Sequence, residues 1–173
     1  MSQADTTRLR IVRPEDGEAY WLGENRIVLK AGTADTDGHY GLIESHHSVG
    51  SSPPLHVHHG VDEGVWVARG QIRFRCGERD FTAGPGTFVL LPRDVPHTFL
   101  VEGDEDAVLV GLLSPGGSEG FFADAGQPAT TPTPPPGPPD LERVARASAK
   151  WNTNSTVGPP LSPAGESKGT KQH

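Results

Sequence analysis

From Leu9 to Leu113 the chain is a succession of short apolar segments, cut at regular intervals by turns of glycine, proline and acidic residues. No helical period runs through this region. That grammar predicts an all-β sandwich or barrel. The clearest strands are "RIVLKAG", "YGLIESHHSV", "PLHVHH", "GVWVARG", "QIRFRC", "RDFTAG", "GTFVLLP", "HTFLVEG" and "AVLVGLL". In "QIRFRC", Ile72, Phe74 and Cys76 alternate with Gln71, Arg73 and Arg75, so one face packs inward and the other meets water.

At 173 residues the chain is long enough for one domain with its own core. Fifteen Lys and Arg against twenty-two Asp and Glu give a formal net charge of −7, with no basic block. The cationic surface that neutralises phosphates is missing, which argues against nucleic acid as a partner. The start "MSQADTTRLRIV" has no apolar core of a secretory signal, and no run of about eighteen apolar residues spans a membrane. The expectation is a soluble, cytoplasmic protein. The single cysteine, Cys76, sits in an alternating apolar run and reads as a buried, inert thiol rather than a nucleophile.

After the barrel the grammar changes. Ser118 is placed to cap a short helix carrying Phe121 and Phe122, with Gly126 as its stop. Residues 127–140 hold seven prolines in fourteen residues, a composition that favours polyproline II and predicts a strap outside any ladder or helix. Residues 141–152 then predict a helix that docks on the barrel: Asp140 is its N-cap, and Leu141, Val144, Ala145, Ser148 and Trp151 share a face. The polar stretch 162–173 reads as a disordered tail. The domain plan is thus a barrel with N-terminal strands over 1–126, the strap, the helix and the tail.

Five of the eight histidines, His46, His47, His56, His58 and His59, fall within fourteen residues. In an extended strand His56 and His58 point to one side and His59 to the other. Two imidazoles about 6 to 7 Å apart along one face can close on a single ion. A turn at Gly60 to Asp62 would bring Glu63 beside them, and a neighbouring strand would supply His97 from across the barrel. Three imidazole nitrogens and one carboxylate suit borderline divalent ions such as iron, nickel, copper and zinc, and suit magnesium or calcium poorly. A lone HxH is a weak signal, also met as ordinary surface or core histidines; the spacing to Glu63 adds the weight here. Of the adjacent pair His46 and His47, at most one faces the interior, where it is a candidate for a contact to substrate or to a ligand residue. His39 reads as a turn residue, and His173 belongs to the tail.

These residues resemble the cupin superfamily. Its first motif appears in full as Gly50, His56, His58, Glu63 and Gly70, and its second as Gly86, Pro92 and His97, with Asp94 where the family has glycine and Val101 where it has asparagine. The resemblance implies a double-stranded β-helix, a jelly-roll barrel with a metal in its mouth, and assigns His56, His58, Glu63 and His97 as ligands. Both departures lie off the ligand positions. Within the superfamily, the block from Pro53 to Phe99, followed by "LLSPGGSEGFF" and a proline-rich strap, is similar to bacterial single-domain quercetinase-like cupins.

That likeness implies a metal-dependent dioxygenase acting on a phenolic or enolisable aromatic small molecule. Its partners would be that substrate and dioxygen. The cofactor would be one divalent transition metal: Fe, Ni, Mn, Co, Cu or Zn. Glu63 is the base the motif offers. Leu55, Phe74, Phe88 and Phe99 are candidates for the apolar substrate pocket, each also readable as core. Two other readings use the same residues: a non-oxidative isomerase, cyclase or lyase in which the metal is a Lewis acid, and a small-molecule-binding cupin without catalysis. The edge strand "RIVLKAG" offers backbone groups to a second copy, and a homodimer is expected.

Overall fold

Glycine-marked turns separate the apolar runs: at Gly23 and Gly77 the chain turns back into a paired antiparallel strand, and at Gly60, Gly70 and Gly86 it crosses to the other of two sheets. The structure is a computed structural model and describes residues 9–14, 16–151 and 154–163. The strands, in chain order, are β1 Glu18–Leu22, β2 Asn25–Ala31, β3 Gly41–His47, β4 Leu55–His58, β5 Asp62–Arg69, β6 Gln71–Cys76, β7 Arg79–Ala83, β8 Phe88–Leu91, β9 His97–Glu102 and β10 Ala107–Ser114. Helix α1 Gly120–Ala125, the two-residue strand β11 Gln127–Pro128, helix α2 Leu141–Trp151 and strand β12 Asn154–Gly158 follow. They form two sheets, ordered β11-β1-β2-β3-β10-β5-β8 and β12-β4-β9-β6-β7. Among the described residues no helix is long and apolar enough to cross a membrane.

One of the crossings between the sheets is at Gly70, whose φ of +86° favours glycine. A Cβ there would also lie 2.9 Å from the Ala107 Cα, so two backbones approach at this corner. Inward-facing side chains of both sheets meet at the closed end, where Val67, Ile72, Phe74 and Val101 are almost fully buried. Phe74 stacks on Phe81 at 5.5 Å between ring centroids. The alternation in β6 is as expected for Ile72 and Phe74, while Cys76 at its end is only half-buried.

All nine expected strands form. Three more lay outside that set. "EAYWL" forms β1, which pairs with β2 and so removes the free edge expected of "RIVLKAG", and polar "NSTVG" forms β12, which supplies backbone partners along the edge of β4. The strap also enters a ladder, contrary to its composition. Tyr20 pairs with Pro128, and the Ala129 N–H donates to the Ala19 carbonyl at 2.8 Å. Proline is tolerated because β11 is an edge, where a missing N–H leaves no inner neighbour unsatisfied.

The C-terminal helices differ from expectation in detail. The residue at the N-cap of α1 is Glu119, not Ser118, and it makes no side-chain cap bond. Its carboxylate instead accepts the Thr33 N–H and the Gly117 N–H, both at 2.6 Å, and the Thr33 hydroxyl. One acidic side chain so joins the β2–β3 loop to the entry of α1. Gly126 closes α1 in an extended conformation (φ −84°) rather than a left-handed one. At α2, Asp140 Oδ1 accepts the Arg143 N–H at 3.0 Å, as an N-cap does. The packed face is Val144, Ala147, Ser148 and Trp151; Leu141 is 73% exposed and Ala145 is exposed too. The reason is the partner: α2 lies on α1, forming a cluster with Phe121, Phe122, Ala125 and Leu22, and that contact selects a face rotated from the one the apolar pattern marked. The expected tail falls largely outside the described residues.

Two expectations follow. Phe74→Ala should lower stability by about 3–5 kcal/mol, while Phe88→Ala on the outer face should cost less than about 1 kcal/mol, read from urea midpoints. At Glu119, burial raises the carboxyl's pKa, but the hydrogen bonds from Thr33 and Gly117 outweigh it and hold the group below its ordinary value. A depressed carboxyl stabilises the fold above the ordinary carboxylate range and loses that contribution as pH falls through its folded value. Denaturation of the wild type and of Glu119→Gln should therefore differ most at neutral pH and converge in acid.

Candidate metal centre

His56 and His58 lie on β4 with one residue between them, so the pleat turns both into the barrel. The neighbouring strand β9 pairs with β4 so that His56 stands directly opposite His97. His97 thus comes from a neighbouring strand, as expected, but from within the same sheet and not from across the barrel. Glu63 crosses the interior instead, from β5 in the other sheet. Ring centroids are 5.0 Å apart for His56 and His58, 4.5 Å for His56 and His97, and 5.2 Å for His58 and His97. Glu63 Oε2 is 3.3 Å from the Nε2 atoms of both His58 and His97. One ligand atom from each of the four lies within 4.8 Å of all the others.

The hydrogen bonds behind the rings decide which nitrogen faces the centre. His56 Nδ1 donates to the Pro54 carbonyl at 2.8 Å, and His97 Nδ1 donates to the Val95 carbonyl at 2.9 Å. A backbone carbonyl can only accept, so each ring carries its proton on Nδ1 and presents an Nε2 lone pair to the interior. The lone pair of His97 then faces a carboxylate oxygen at 3.3 Å. Two acceptors at that range repel unless a positive charge lies between them, and a cation bound at about 2.0–2.2 Å from each supplies it. Three nitrogens and one carboxylate fit a divalent transition metal and do not fit the oxygen-rich shell of magnesium or calcium.

Electrostatics prepare the same atoms. Burial pushes the His56 pKa down to about 4, with His97 and His58 adding to the effect, so its ring is neutral at physiological pH. For Glu63, burial would raise the pKa, but the His58 and His97 side chains beside it outweigh that and hold it well below the usual range. His56 is therefore neutral and Glu63 ionised, the forms in which each can bind a metal.

Asp94 adopts the left-handed conformation, φ 64°, that the family's glycine takes with less strain. The residue also does something the sequence reading missed. Its N–H donates to the His58 carbonyl at 2.9 Å, and its Oδ1 accepts the Gly60 N–H at 3.2 Å. Asp94 thereby ties the turn before His97 to the turn between His58 and Glu63. Val101 is 1% exposed and serves the core. His59 points outward to Ser155 Oγ at 2.8 Å, and His46 outward to Glu44 Oε1 at 2.8 Å. His47 faces inward.

Above the tetrad lies a cavity of about 200 Å³ that takes in all four residues. Of the four pocket candidates, Phe99 alone lines it. Phe74 is fully buried at the closed end, Phe88 is 58% exposed with its ring near Gly64 on the outer face, and Leu55 packs on Gly158 of β12. Phe88 has the wrong parity in its strand, and Phe74 the right parity at the wrong depth. The walls that sequence reasoning missed include Ile27, Ile43 and Leu113 of the barrel and, from outside it, Phe121 and Phe122 of α1, Val144 and Ser148 of α2, and Thr156 of β12. The adjacent phenylalanines in "SEGFF" were a signal for apolar packing, but nothing local aims them at a barrel mouth.

Comparison with known proteins agrees with this architecture. Residues 45–113 match the family described as "Cupin domain". Over 118 residues, 68% of this chain, the sequence is 24% identical to quercetin 2,3-dioxygenase of Bacillus subtilis (strain 168), and the match spans 35% of that protein's length. Similar solved structures include KdgF from a Halomonas species (TM-score 0.56, 15% identity, 64% of this chain and 98% of that one) and a predicted oxalate decarboxylase from Thermotoga maritima (TM-score 0.57, 18% identity, 61% and 98%). At such identities the likeness is one of fold.

The protein is expected to bind one equivalent of a divalent transition metal. His56→Ala, His58→Ala, Glu63→Gln and His97→Ala should each weaken that binding by more than about 100-fold, beyond what loss of an outer partner costs. His59→Ala should leave it unchanged. Competition against a chelator, with metal content read by elemental analysis, checks both.

Proposed function

The barrel of this chain is a cupin domain, and from that premise we propose that the protein is a metal-dependent dioxygenase acting on a phenolic or enolisable aromatic small molecule. What supports the reading is the placement of a three-histidine, one-carboxylate set at the floor of a mainly apolar cavity. The partial match to quercetin 2,3-dioxygenase points to the same class of substrate. The chain spans about a third of that relative's length, so the activity is a proposal for this chain.

A transition metal held by His56, His58, Glu63 and His97 would supply Lewis acidity, lowering the pKa of a substrate hydroxyl that binds it. The protein's own groups do the rest. Glu63 directs Oε2 at two histidines, which leaves Oε1 to accept the hydroxyl proton. The carbonyls of Pro54 and Val95 keep two of the imidazoles oriented as the charge redistributes. Phe99, Phe121 and Phe122 offer flat walls to an aromatic ring and keep water from the electron-rich anion while dioxygen reacts. Both atoms of one dioxygen molecule then enter the product, so no external reductant is needed.

The test is oxygen uptake by protein reconstituted separately with Fe, Ni, Mn, Co, Cu or Zn, with quercetin as probe. The expected result is stoichiometric uptake, with both labelled atoms from ¹⁸O₂ found in product, and a fall of at least about 100-fold in kcat for Glu63→Gln. Undiminished turnover without oxygen would overturn the dioxygenase and favour a non-oxidative isomerase or lyase.

A further inference from the structure

One buried polar group in the cavity has no part in the chemistry above. His47 is the last residue of β3, and the inward parity of Ile43, Ser45 and His47 turns its ring into the barrel. It is 8% exposed and lines the cavity. It meets Phe99 edge-on, with ring centroids 5.0 Å apart. Phe99 lies two residues beyond His97 on β9, on the same face, so the ring that His47 touches is one side-chain layer along the strand from His97. It reaches the cavity from the sheet opposite the three ligand histidines.

Among the described residues His47 Nδ1 is sealed from solvent and has no hydrogen-bond partner. A buried polar atom left so is costly and calls for an explanation. The ring's second nitrogen, Nε2, is the atom left to face the cavity. A proton on Nε2 can be given to whatever fills that space, whereas a proton on Nδ1 has no acceptor, so the Nε2–H tautomer is favoured. Burial pushes the ring's pKa down to about 4, with His46 adding to the effect against Glu63, so His47 is a neutral donor and not a cation.

We propose that His47 is a substrate-positioning residue: its Nε2–H donates to a second oxygen of the bound aromatic, distinct from the oxygen at the His and Glu centre. The inference rests on the reading of the site as one for a phenolic or enolisable aromatic. It narrows that class to molecules with two separated oxygen functions. A simple phenol leaves the donor unsatisfied and gains no orientation. A flat ligand with a carbonyl or hydroxyl at its far end is gripped at both ends.

The experiment uses zinc-loaded full-length protein without oxygen, so binding is read apart from turnover. Imidazole ¹⁵N spectra should report the Nε2–H tautomer for His47, and its Nε2 resonance should move when quercetin is added. His47→Phe, which keeps a ring of similar shape and removes the donor, should weaken quercetin binding about tenfold, the loss of one net hydrogen bond. Binding of 2-naphthol, with its single oxygen, should change less than about twofold, and metal content should stay at one equivalent. His47→Gln, which restores a donor, should recover most of the quercetin affinity. The Nδ1–H tautomer, an Nε2 signal unmoved by quercetin, or equal losses for quercetin and 2-naphthol would overturn the proposal. Failure of the dioxygenase reading shows separately, as absent oxygen uptake with quercetin bound.

Discussion

The register between β4 and β9 sets His56 opposite His97, and the chemistry at the open end of the barrel depends on that one pairing. A slip of one residue would turn His56 and His58 out to solvent and Val57 inward, because side chains in a strand alternate. Several contacts oppose such a slip. Asp94 bonds both to the His58 carbonyl and to the Gly60 N–H, so the turns flanking the two strands are locked together. Thr98 donates to the Pro53 carbonyl at 2.7 Å, fastening the entry of β4 to β9. The second sheet then has only to present Glu63, which it does from the first turn of β5. Asp62 beside it holds the Arg93 side chain and N–H, a further tie between the same two turns.

The open end is finished by chain that follows the barrel. Asp124 Oδ2 accepts both the Trp151 indole N–H and Lys150 Nζ at 2.6 Å, pinning the last turn of α2 to α1. The indole lies so close to Gly120 that a Cβ there would come within 2.2 Å of it. That proximity lets α2 sit low enough for Val144 and Ser148 to reach the cavity. Strand β12 then returns along β4 and places Thr156 opposite His56. The strand with two metal-facing histidines is thus flanked by β9 on one side and the C-terminal segment on the other. Specificity in such an arrangement comes from the cover as much as from the barrel.

Much of this was legible in the residues alone. The nine principal strands could be read because each buries one face and so alternates, and the His56, His58 and Glu63 spacing could be read because one strand and one turn suffice to hold it, with His97 added by the neighbouring β9. Elements without that local imprint escaped. β12 is polar and becomes a strand by pairing with an existing edge. β11 contains proline and is tolerated only because nothing lies beyond it. The face of α2 was misread at Leu141 and Ala145 because apolar spacing marks a stripe about a helix without saying where a neighbour will touch it.

By itself the sequence determined that the chain is a β-barrel carrying three imidazoles and a carboxylate able to meet on one metal, since parity and short turns act over a few residues and leave little freedom. The tertiary structure decided the depth of each aromatic side chain and the identity of the cavity wall. It put Phe74 in the sealed core, Phe88 outside, and Phe121, Phe122 and Val144 over the mouth. It also left His47 as a buried group facing the cavity. Parity tells which way a side chain points, but only the packing of one sheet and two helices on the other tells what it meets there.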